Sequence, residues 1–247
     1  MTSRSTYLQL ADQLARELRD VPSGTRVASE HELVASQGVS RLTARAALQE
    51  LEHRYLVQRI RGSGTFVRRR IDYVISKDLP PSFAATVVAA GATPGTKLLG
   101  VRRRAPRPEH PYEPEVAAGG ELVEVRRLNL VDGVVAGVWT TVLPGNRLAG
   151  IEERLADDVS LYTLLSQAYG MTLRRYRHHV SLDVPDLEVA ALLGDDAPRP
   201  CWYAESLNRI GGTRQLGEYA ATWSNPRVLR VVFEIEGDAA IAEDTGL

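Results

Sequence analysis

Apolar residues recur at helical spacing at the start of the chain. The stripe from Tyr7 to Arg19 predicts a first amphipathic helix. A second helix is predicted from Ser29 to Gln37, because Ser29 and Glu32 have the spacing of a capping box. Gly38, a residue type common at helix C-termini, is expected to end it.

A third helix is predicted after only two residues, from Arg41 to about Tyr55, with Ser40 as its cap. Its core face is expected to consist of Ala44, Ala47, Leu48 and Leu51. Arg41 and Arg45, four residues apart, share a different face. Two helices joined by so tight a turn are typical of a helix-turn-helix.

The pattern then changes to that of a β-hairpin. Val57–Ile60 is predicted as one strand, Arg61–Gly64 as the turn and Thr65–Val67 as the return strand. A hairpin directly after the third helix is the wing of a winged helix. The first domain is therefore predicted to span residues 1–70.

Residues 71–81 are predicted to form a linker, although Ile71, Tyr73 and Ile75 alternate in a way that could add a short strand. A second domain is expected over residues 82–237, with a disordered acidic tail at 238–247. Its predicted helices are Ser82–Ala90, Ser160–Tyr169 and Asp186–Leu193. Its predicted strands are Lys97–Arg103, Leu122–Val131, Val134–Leu143, Arg174–Leu182, Cys201–Arg209, Gln215–Trp223 and Val228–Ile235. This order indicates a mainly antiparallel α+β fold.

Composition places the chain among soluble cytoplasmic proteins without a membrane partner. It is 44% apolar and 25% charged, and no apolar run approaches the ~18 residues that span a bilayer. The first residues lack the apolar core of a signal peptide. Cys201 is the single cysteine, which fits a reducing compartment.

Charge is distributed unevenly along the chain. Residues 1–70 contain twelve arginines, no lysine and seven acidic residues, a net charge of +5, whereas the whole chain carries −1. A basic first quarter favours a surface that binds a polyanion. The same excess also fits a general preference for arginine, because lysine occurs only at Lys77 and Lys97.

The first domain resembles the GntR family of bacterial regulators, in its HutC-type branch. The resemblance is carried by Arg26–Leu33, Gly38–Leu48 and Arg61–Val67. It implies a homodimer that binds a palindromic operator in double-stranded DNA. Two positions depart from the family pattern: Ala28 replaces a proline, and His31 replaces an arginine that commonly contacts DNA.

The resemblance implies a set of DNA-binding residues. They are Ser29, His31, Ser40, Arg41, Thr43, Arg45, Arg61, Gly62, Ser63 and Gly64. At the start of a recognition helix, Arg41 and Arg45 could each donate two hydrogen bonds to guanine. The glycines would let the tip of the wing approach the minor groove.

The second domain resembles the UTRA effector domain, which is related in fold to chorismate lyase. The resemblance is carried by Ser82-Phe83, Arg127-Leu128, Ser160–Tyr162, Ala190–Gly194 and Gly217–Tyr219. The stretch from Arg70 to Tyr73 is similar to phosphonate-operon (PhnF-type) regulators. A small effector is implied: a phosphorylated sugar, a phosphonate or another anion.

The effector-binding residues implied by the resemblance are Ser82, Phe83, Arg127, Ser160, Tyr162 and Glu218. Ser160 is equally compatible with a plain helix cap, and Tyr162 with a core position. Asn129 stands where relatives commonly have a second arginine, and Trp139 where they have a glutamate. These two departures favour a weaker anion site with more apolar surface.

Two other classes of function remain open, namely a non-specific nucleoid protein and an enzyme of chorismate-lyase-like fold. No catalytic residue, metal site or cofactor is predicted. The glycine-rich stretch Gly91–Lys97 lacks one residue of a phosphate loop. His178 and His179 are adjacent, so on a strand they would face opposite sides and could not share a metal.

Overall fold

The computed structural model describes residues 3–19, 21–22, 24–68, 70–76 and 82–234. The chain forms two compact units that divide after Arg70. Residues 77–81 of the predicted linker and the predicted tail at 238–247 lie outside the described residues. Within the described part, no helix has both the length and the apolar character needed to cross a bilayer.

The first unit is a three-helix domain with a small antiparallel sheet. Its elements are α1 (Ser3–Glu17), β1 (Arg26–Val27), α2 (Glu30–Gln37), α3 (Arg41–His53), β2 (Val57–Ile60) and β3 (Gly64–Val67). Strand β3 lies between β1 and β2, so the wing has three strands. The two-residue strand β1 was not predicted, because so short a segment carries no periodic signal.

Local hydrogen bonds explain where the helices of the first unit begin. The Ser29 side chain accepts from the backbone N–H of Glu32 at 3.3 Å, and the Ser29 N–H donates to the Glu32 carboxylate at 2.6 Å. This is the predicted capping box. Gly38 ends α2 at φ +64°, a left-handed conformation that favours glycine. The predicted residues Ala44, Ala47, Leu48 and Leu51 are all buried in the core.

The second unit is built on a six-stranded antiparallel sheet in the order β5-β6-β7-β10-β9-β8. Its strands are β4 (Ile71–Ile75), β5 (Pro94–Arg104), β6 (Leu122–Val131), β7 (Val134–Pro144), β8 (Leu173–Asp183), β9 (Cys201–Ile210), β10 (Leu216–Ser224) and β11 (Leu229–Phe233). Its helices are α4 (Phe83–Ala89), α5 (Glu113–Ala117), α6 (Leu161–Tyr169) and α7 (Leu187–Leu192). The predicted α+β class with an antiparallel sheet is confirmed.

The assignment of residues 71–75 to a linker is wrong. They form β4, which pairs in parallel with β11, Ile71 opposite Leu229 and Ile75 opposite Phe233. The alternation of Ile71, Tyr73 and Ile75 was therefore that of a strand. Its partner lies near the other end of the domain sequence, and no local pattern identifies such a partner. Helix α5 was also missed, because it is only five residues long.

Different elements cover the two faces of the large sheet. On one face, α4, α6 and the pair β4–β11 pack against β6 and β7 through apolar residues that include Phe83, Leu161 and Ile71. On the other face, α5 and α7 pack through residues that include Val116 and Val189. Residues directly opposite each other on antiparallel strands point to the same face. The face under α6 is the one that carries the candidate ligand site.

Candidate functional site

The start of α3 presents two arginines to solvent. Ser40 caps the helix by accepting from the Thr43 N–H at 3.1 Å, and the two hydroxyl oxygens lie 2.9 Å apart. Arg41 and Arg45 are both exposed, and Arg45 forms no ion pair within the described residues. Exposed guanidinium groups at a helix start have the position required for contacts with base edges in a major groove.

Glu30 is a polar neighbour of this surface that the sequence analysis did not single out. Its carboxylate lies 3.6 Å from Arg41 Nε and 4.0 Å from Arg59 Nη1. The Arg41 side chain is 85% exposed, and an exposed pair of this kind contributes only about 0–1 kcal/mol. A phosphate can therefore replace Glu30 as the partner of Arg41 at small cost.

The predicted residues of α2 have different surroundings. The Ser29 hydroxyl oxygen already accepts the capping-box hydrogen bond from the Glu32 N–H. Its first role is therefore to stabilise the start of α2. His31 is exposed on the first turn of α2. The contacts of both residues with DNA remain predictions.

The tip of the wing is exposed at Arg61, Gly62 and Ser63. Gly62 has φ +80° and Gly64 has φ +127°, and a side chain is strained in both conformations. The turn is closed by the Ser63 N–H, which donates to the Ile60 carbonyl at 2.9 Å. The two glycines therefore allow the backbone conformation of the turn and add no side chain at the tip of the wing.

Leu42 is a further residue of this surface that was not predicted. Its side chain is 79% exposed beside Arg41, and it lies off the core spacing of Ala44, Ala47 and Leu48. An apolar side chain at the start of a recognition helix is suited to contact a thymine methyl group. The signal was present in the sequence as an apolar residue on the polar face.

The candidate ligand pocket lies in the second unit, at the starts of α4 and α6. Five of the six predicted effector residues line it: Ser82, Phe83, Arg127, Ser160 and Tyr162. Ala84, Thr96, Asn129, Trp139 and Leu161 complete the lining. The structure thus brings together residues from two helix starts and three neighbouring strands.

Arg127 is the cation of this pocket. It lies on β6 directly opposite Trp139 of β7 and is only 6% exposed. Its Nε has no hydrogen-bond partner, and its guanidinium forms no ion pair within the described residues. Burial lowers the pKa of Arg127, the direction expected when a cation loses its hydration. Glu218 interacts with Arg127 electrostatically but forms no ion pair with it, so this buried cation is a candidate to bind an anion.

Two serine hydroxyls lie beside Arg127. Ser82 Oγ accepts from the Ala85 N–H at 3.3 Å, and Ser160 Oγ accepts from the Thr163 N–H at 3.4 Å. Both serines are therefore helix caps, as was considered for Ser160. Each hydroxyl still has its hydrogen to donate, so a capping serine can also bind an anion.

Glu218 does not line the pocket, unlike the other predicted residues. It is fully buried, and its carboxylate accepts from the Tyr162 hydroxyl at 2.9 and 3.1 Å and from the Asn208 amide. Burial raises the pKa of Glu218, and these hydrogen bonds oppose that shift. Glu218 therefore holds Tyr162 in position and has no direct path to a ligand in this pocket.

Asn129 and Trp139, the two departures from the family pattern, both line the pocket. Thr96 donates its hydroxyl hydrogen to the Asn129 amide oxygen at 3.1 Å. Trp139 packs edge-on against Phe83, with ring centres 5.2 Å apart. Its indole lies over Gly137, where a Cβ atom would come within 2.5 Å of the ring. Gly137 therefore provides the space for Trp139.

The described residues contain no cluster of three or more histidine, cysteine or acidic residues arranged to hold a metal ion. Among the described charged residues, the strongest network is structural. Glu113 is fully buried and accepts from Arg104 at 2.7 Å and from Arg107 at 2.6 Å. This network ties the loop before α5 to the end of β5.

Two family patterns match the chain. The gntR family of bacterial regulatory proteins matches residues 6–67, and the UTRA domain matches residues 89–225. The two matches follow each other along the chain and correspond to the two compact units.

Transcriptional regulators are similar to the chain over most of its length. The transcriptional repressor PhnF of Mycolicibacterium smegmatis is 30% identical over 199 residues, covering 80% of this chain and 78% of the relative. The transcriptional regulator SmoD of Agrobacterium fabrum is 27% identical over 240 residues, covering 96% and 88%. The crystal structure of PhnF from Mycobacterium smegmatis matches with a TM-score of 0.62 and 24% identity, covering 92% and 99%, which shows the shared fold. The chain therefore belongs to the GntR family of DNA-binding transcriptional regulators, in the HutC-type branch whose second domain is a ligand-binding UTRA domain.

Proposed function

We propose that the chain is a repressor that binds a palindromic operator as a homodimer and responds to a small anionic ligand held by Arg127. The observation that carries the ligand class is the guanidinium of Arg127, buried in a pocket without a carboxylate partner. One relative is named a transcriptional repressor. We propose that it acts in the cytoplasm, where the operator DNA lies.

An energetic argument supports an anion at Arg127. A buried charge without a partner destabilises a fold by several kcal/mol, and a well-placed counter-charge with hydrogen bonds removes much of that penalty. A phosphate or phosphonate would accept from the guanidinium and from the hydroxyls of Ser82 and Ser160. An anion of this class should therefore stabilise the second unit on binding.

A dimer follows from the way winged helices bind DNA. One recognition helix contacts only a few base pairs, and a two-fold pair of helices contacts two half-sites of a palindrome. A ligand that binds one geometry of the pair more tightly than another changes operator affinity by that difference. We propose that the ligand releases the operator.

The test begins with an operator recovered by pulldown of genomic fragments. Operator affinity is then measured by mobility shift, at fixed salt, with and without phosphate, phosphonates and phosphorylated sugars. We expect at least one of these anions to weaken operator binding and to raise the melting temperature. Calorimetric titrations that give no heat with any of them would contradict the ligand class.

Arg127→Met and Arg126→Met form a matched pair for this test. Arg126 is the next residue on β6, pairs with Glu188 and points to the opposite face. Arg127→Met should lose the response to the anion and, because it removes a buried charge, should melt at the same or a higher temperature. Arg126→Met should respond as the wild type does. An anion response that survives in Arg127→Met would refute the proposed site.

The same protein and operator DNA also test the two other classes of function, a non-specific nucleoid protein and an enzyme. A non-specific nucleoid protein would bind any duplex with similar affinity and a steep dependence on salt. A regulator should prefer its operator by ~10³ or more. Incubation with chorismate, followed by assay for a lyase product, tests the enzyme class directly.

A further inference from the structure

A second, small cavity adjoins the pocket of Arg127. Its lining includes Tyr73, Trp139, Tyr162, Arg175, His178 and Trp202. Trp139 and Tyr162 line both cavities. The two spaces are therefore neighbours, with these two aromatic side chains between them.

The register of the sheet explains why these residues meet. Ala220 of β10 lies opposite Ser206 of β9, which lies opposite His178 of β8. Asn208 of β9 lies opposite Arg175. All of these positions point to the face that also carries Arg127. The parallel pair β4–β11 adds Tyr73 to the wall.

Arg175 and His178 each have a buried polar atom without a partner. Arg175 Nε and Nη2 and His178 Nε2 make no hydrogen bond, and Arg175 forms no ion pair within the described residues. His178 Nδ1 lies 2.7 Å from Ser206 Oγ, so that ring nitrogen is already occupied. Burial, with Arg175 and His179 nearby, lowers the pKa of His178 to about 4, so the imidazole is neutral at pH 7.

The charged groups near this cavity carry more positive than negative charge. Glu218 is the carboxylate that interacts electrostatically with Arg175 and Arg127, and its oxygens are already bonded to Tyr162 and Asn208. The buried guanidinium of Arg127 and the partly buried one of Arg175 thus share one occupied carboxylate. A second acidic group from a ligand would provide Arg175 with a counter-charge and His178 Nε2 with a partner.

We propose that the ligand is a two-ended anion, with a flat unsaturated or aromatic body between two acidic groups. This proposal rests on the proposed function, in which one acidic group binds at Arg127. The body lies against the faces of Trp139 and Trp202, and the second acidic group faces Arg175 and His178. Aromatic walls favour a flat apolar body, because stacked rings add attraction beyond the burial of their area.

Four probes test this ligand class with the full-length chain: inorganic phosphate, glucose 6-phosphate, phenyl phosphate and 4-carboxyphenyl phosphate. Binding is measured by calorimetry and by tryptophan fluorescence, which should be quenched when a ring stacks on Trp139 or Trp202. We expect phenyl phosphate to bind more tightly than phosphate or glucose 6-phosphate. The carboxyl group should add about tenfold, the contribution of one charge-assisted hydrogen bond.

Arg175→Met should remove that tenfold gain and leave the affinity for phenyl phosphate unchanged. Arg177→Met is the matched control, because Arg177 is exposed on the same strand and lies opposite Leu207, which belongs to the cluster on the other face of the sheet. Equal affinity for the two aromatic probes would overturn the proposal. So would an Arg175→Met variant that weakens both probes equally.

The two levels of inference fail in different ways. Loss of all probe binding in Arg127→Met, together with no effect of Arg175→Met, supports the proposed function and rejects the two-ended ligand. Unchanged binding in Arg127→Met rejects the proposed function itself. Binding of glucose 6-phosphate alone would reject the aromatic body and retain the anion site.

Discussion

Arginines are used differently in the two units of this protein. In the first unit, Arg45 is exposed, forms no ion pair within the described residues and remains hydrated. In the second unit, Arg127 also lacks an ion-pair partner there, but it is buried. Arg104, in the same unit as Arg127, is held by Glu113 and Glu124. The three residues share one chemistry and differ only in water and counter-charge.

This difference separates binding residues from structural ones. Water solvates an exposed guanidinium, so an unpaired one on a surface costs little. A buried guanidinium without a carboxylate costs several kcal/mol, which a fold tolerates where a ligand will later provide the charge. A buried guanidinium with its carboxylate, such as Arg104, belongs to the scaffold. Each of the following predictions tests one part of this distinction.

The largest effect is expected from Glu113→Gln, which breaks the scaffold pair. The change removes the buried carboxylate and leaves Arg104 with Glu124 alone as its charged partner, so the free energy of unfolding should fall by about 3 kcal/mol. The melting temperature should fall by roughly 6–12 °C, given the size of the second unit. Operator specificity, measured on the folded protein, should not change.

Glu113 should also make the stability of the wild-type protein depend on pH, and Glu113→Gln should lack this dependence. The hydrogen bonds from Arg104 and Arg107 hold the pKa of Glu113 well below its ordinary value, against the effect of burial. The stability from this carboxylate is therefore complete above about pH 4.5 and is lost as the pH falls below it. Glu115→Gln, at an exposed position of the same helix, is the control. If the two variants have the same melting temperature at each pH, Glu113 does not stabilise the fold.

Arg45→Ala tests the exposed end of the comparison. It should weaken operator binding roughly 5- to 150-fold, which corresponds to the loss of one bidentate contact with guanine. The melting temperature should stay within a degree or so, because Arg45 is exposed. The control is Arg16→Ala on α1, also an exposed arginine. Unchanged affinity of Arg45→Ala in a mobility shift at fixed salt would contradict the assignment.

Gly62→Ala sharpens the comparison by testing backbone instead of charge. The space around Gly62 is open, but its φ of +80° strains an alanine by about 1 kcal/mol. We expect a melting temperature lower by a few degrees and a several-fold weaker operator affinity. Gly62→Asn should restore much of both, because asparagine tolerates this conformation. If all three proteins bind the operator alike, the wing tip does not contact DNA.

The smallest effect at pH 7 is expected at the neutral His178 beside Arg175. Its folded pKa of about 4 lies below the ordinary 6.5, so the unfolded chain binds a proton first as the pH falls. Its penalty is therefore absent above about pH 6.5 and grows as the pH drops towards 4. Between pH 7 and pH 4.5, the melting temperature of His178→Gln should fall less than that of the wild type. A parallel decline of both proteins would show that His178 does not carry this dependence.

Local patterns predicted the elements of the first unit, and the resemblance to the GntR family supplied its candidate DNA-binding residues. Capping residues, helical spacing and turn glycines act over a few neighbouring positions, which is why Ser29, Ser40 and the wing could be located in advance. The resemblance to the UTRA domain supplied Arg127, Ser160 and Tyr162. It also supplied Glu218, which the structure places in contact with Tyr162 instead of lining the pocket.

The second cavity could not be predicted from the sequence. Arg175, His178 and Trp202 meet Trp139 only through the register of four strands, including a bulge between Arg175 and Arg177. A one-residue shift in register would turn each side chain to the opposite face. The pairing of β4 with β11 has the same origin, since no local signal connects segments so distant in sequence.

The pairing of β4 with β11 also sets an order of assembly during synthesis. The winged helix leaves the ribosome before the second unit and is compact by itself, so it can fold while the second unit is still being made. Strand β4 follows next, but its partner is 158 residues away along the chain. Tyr73 and Val231, on opposite members of this pair, both line the second cavity. A nascent chain is therefore expected to acquire its DNA-binding fold well before it can sense a ligand.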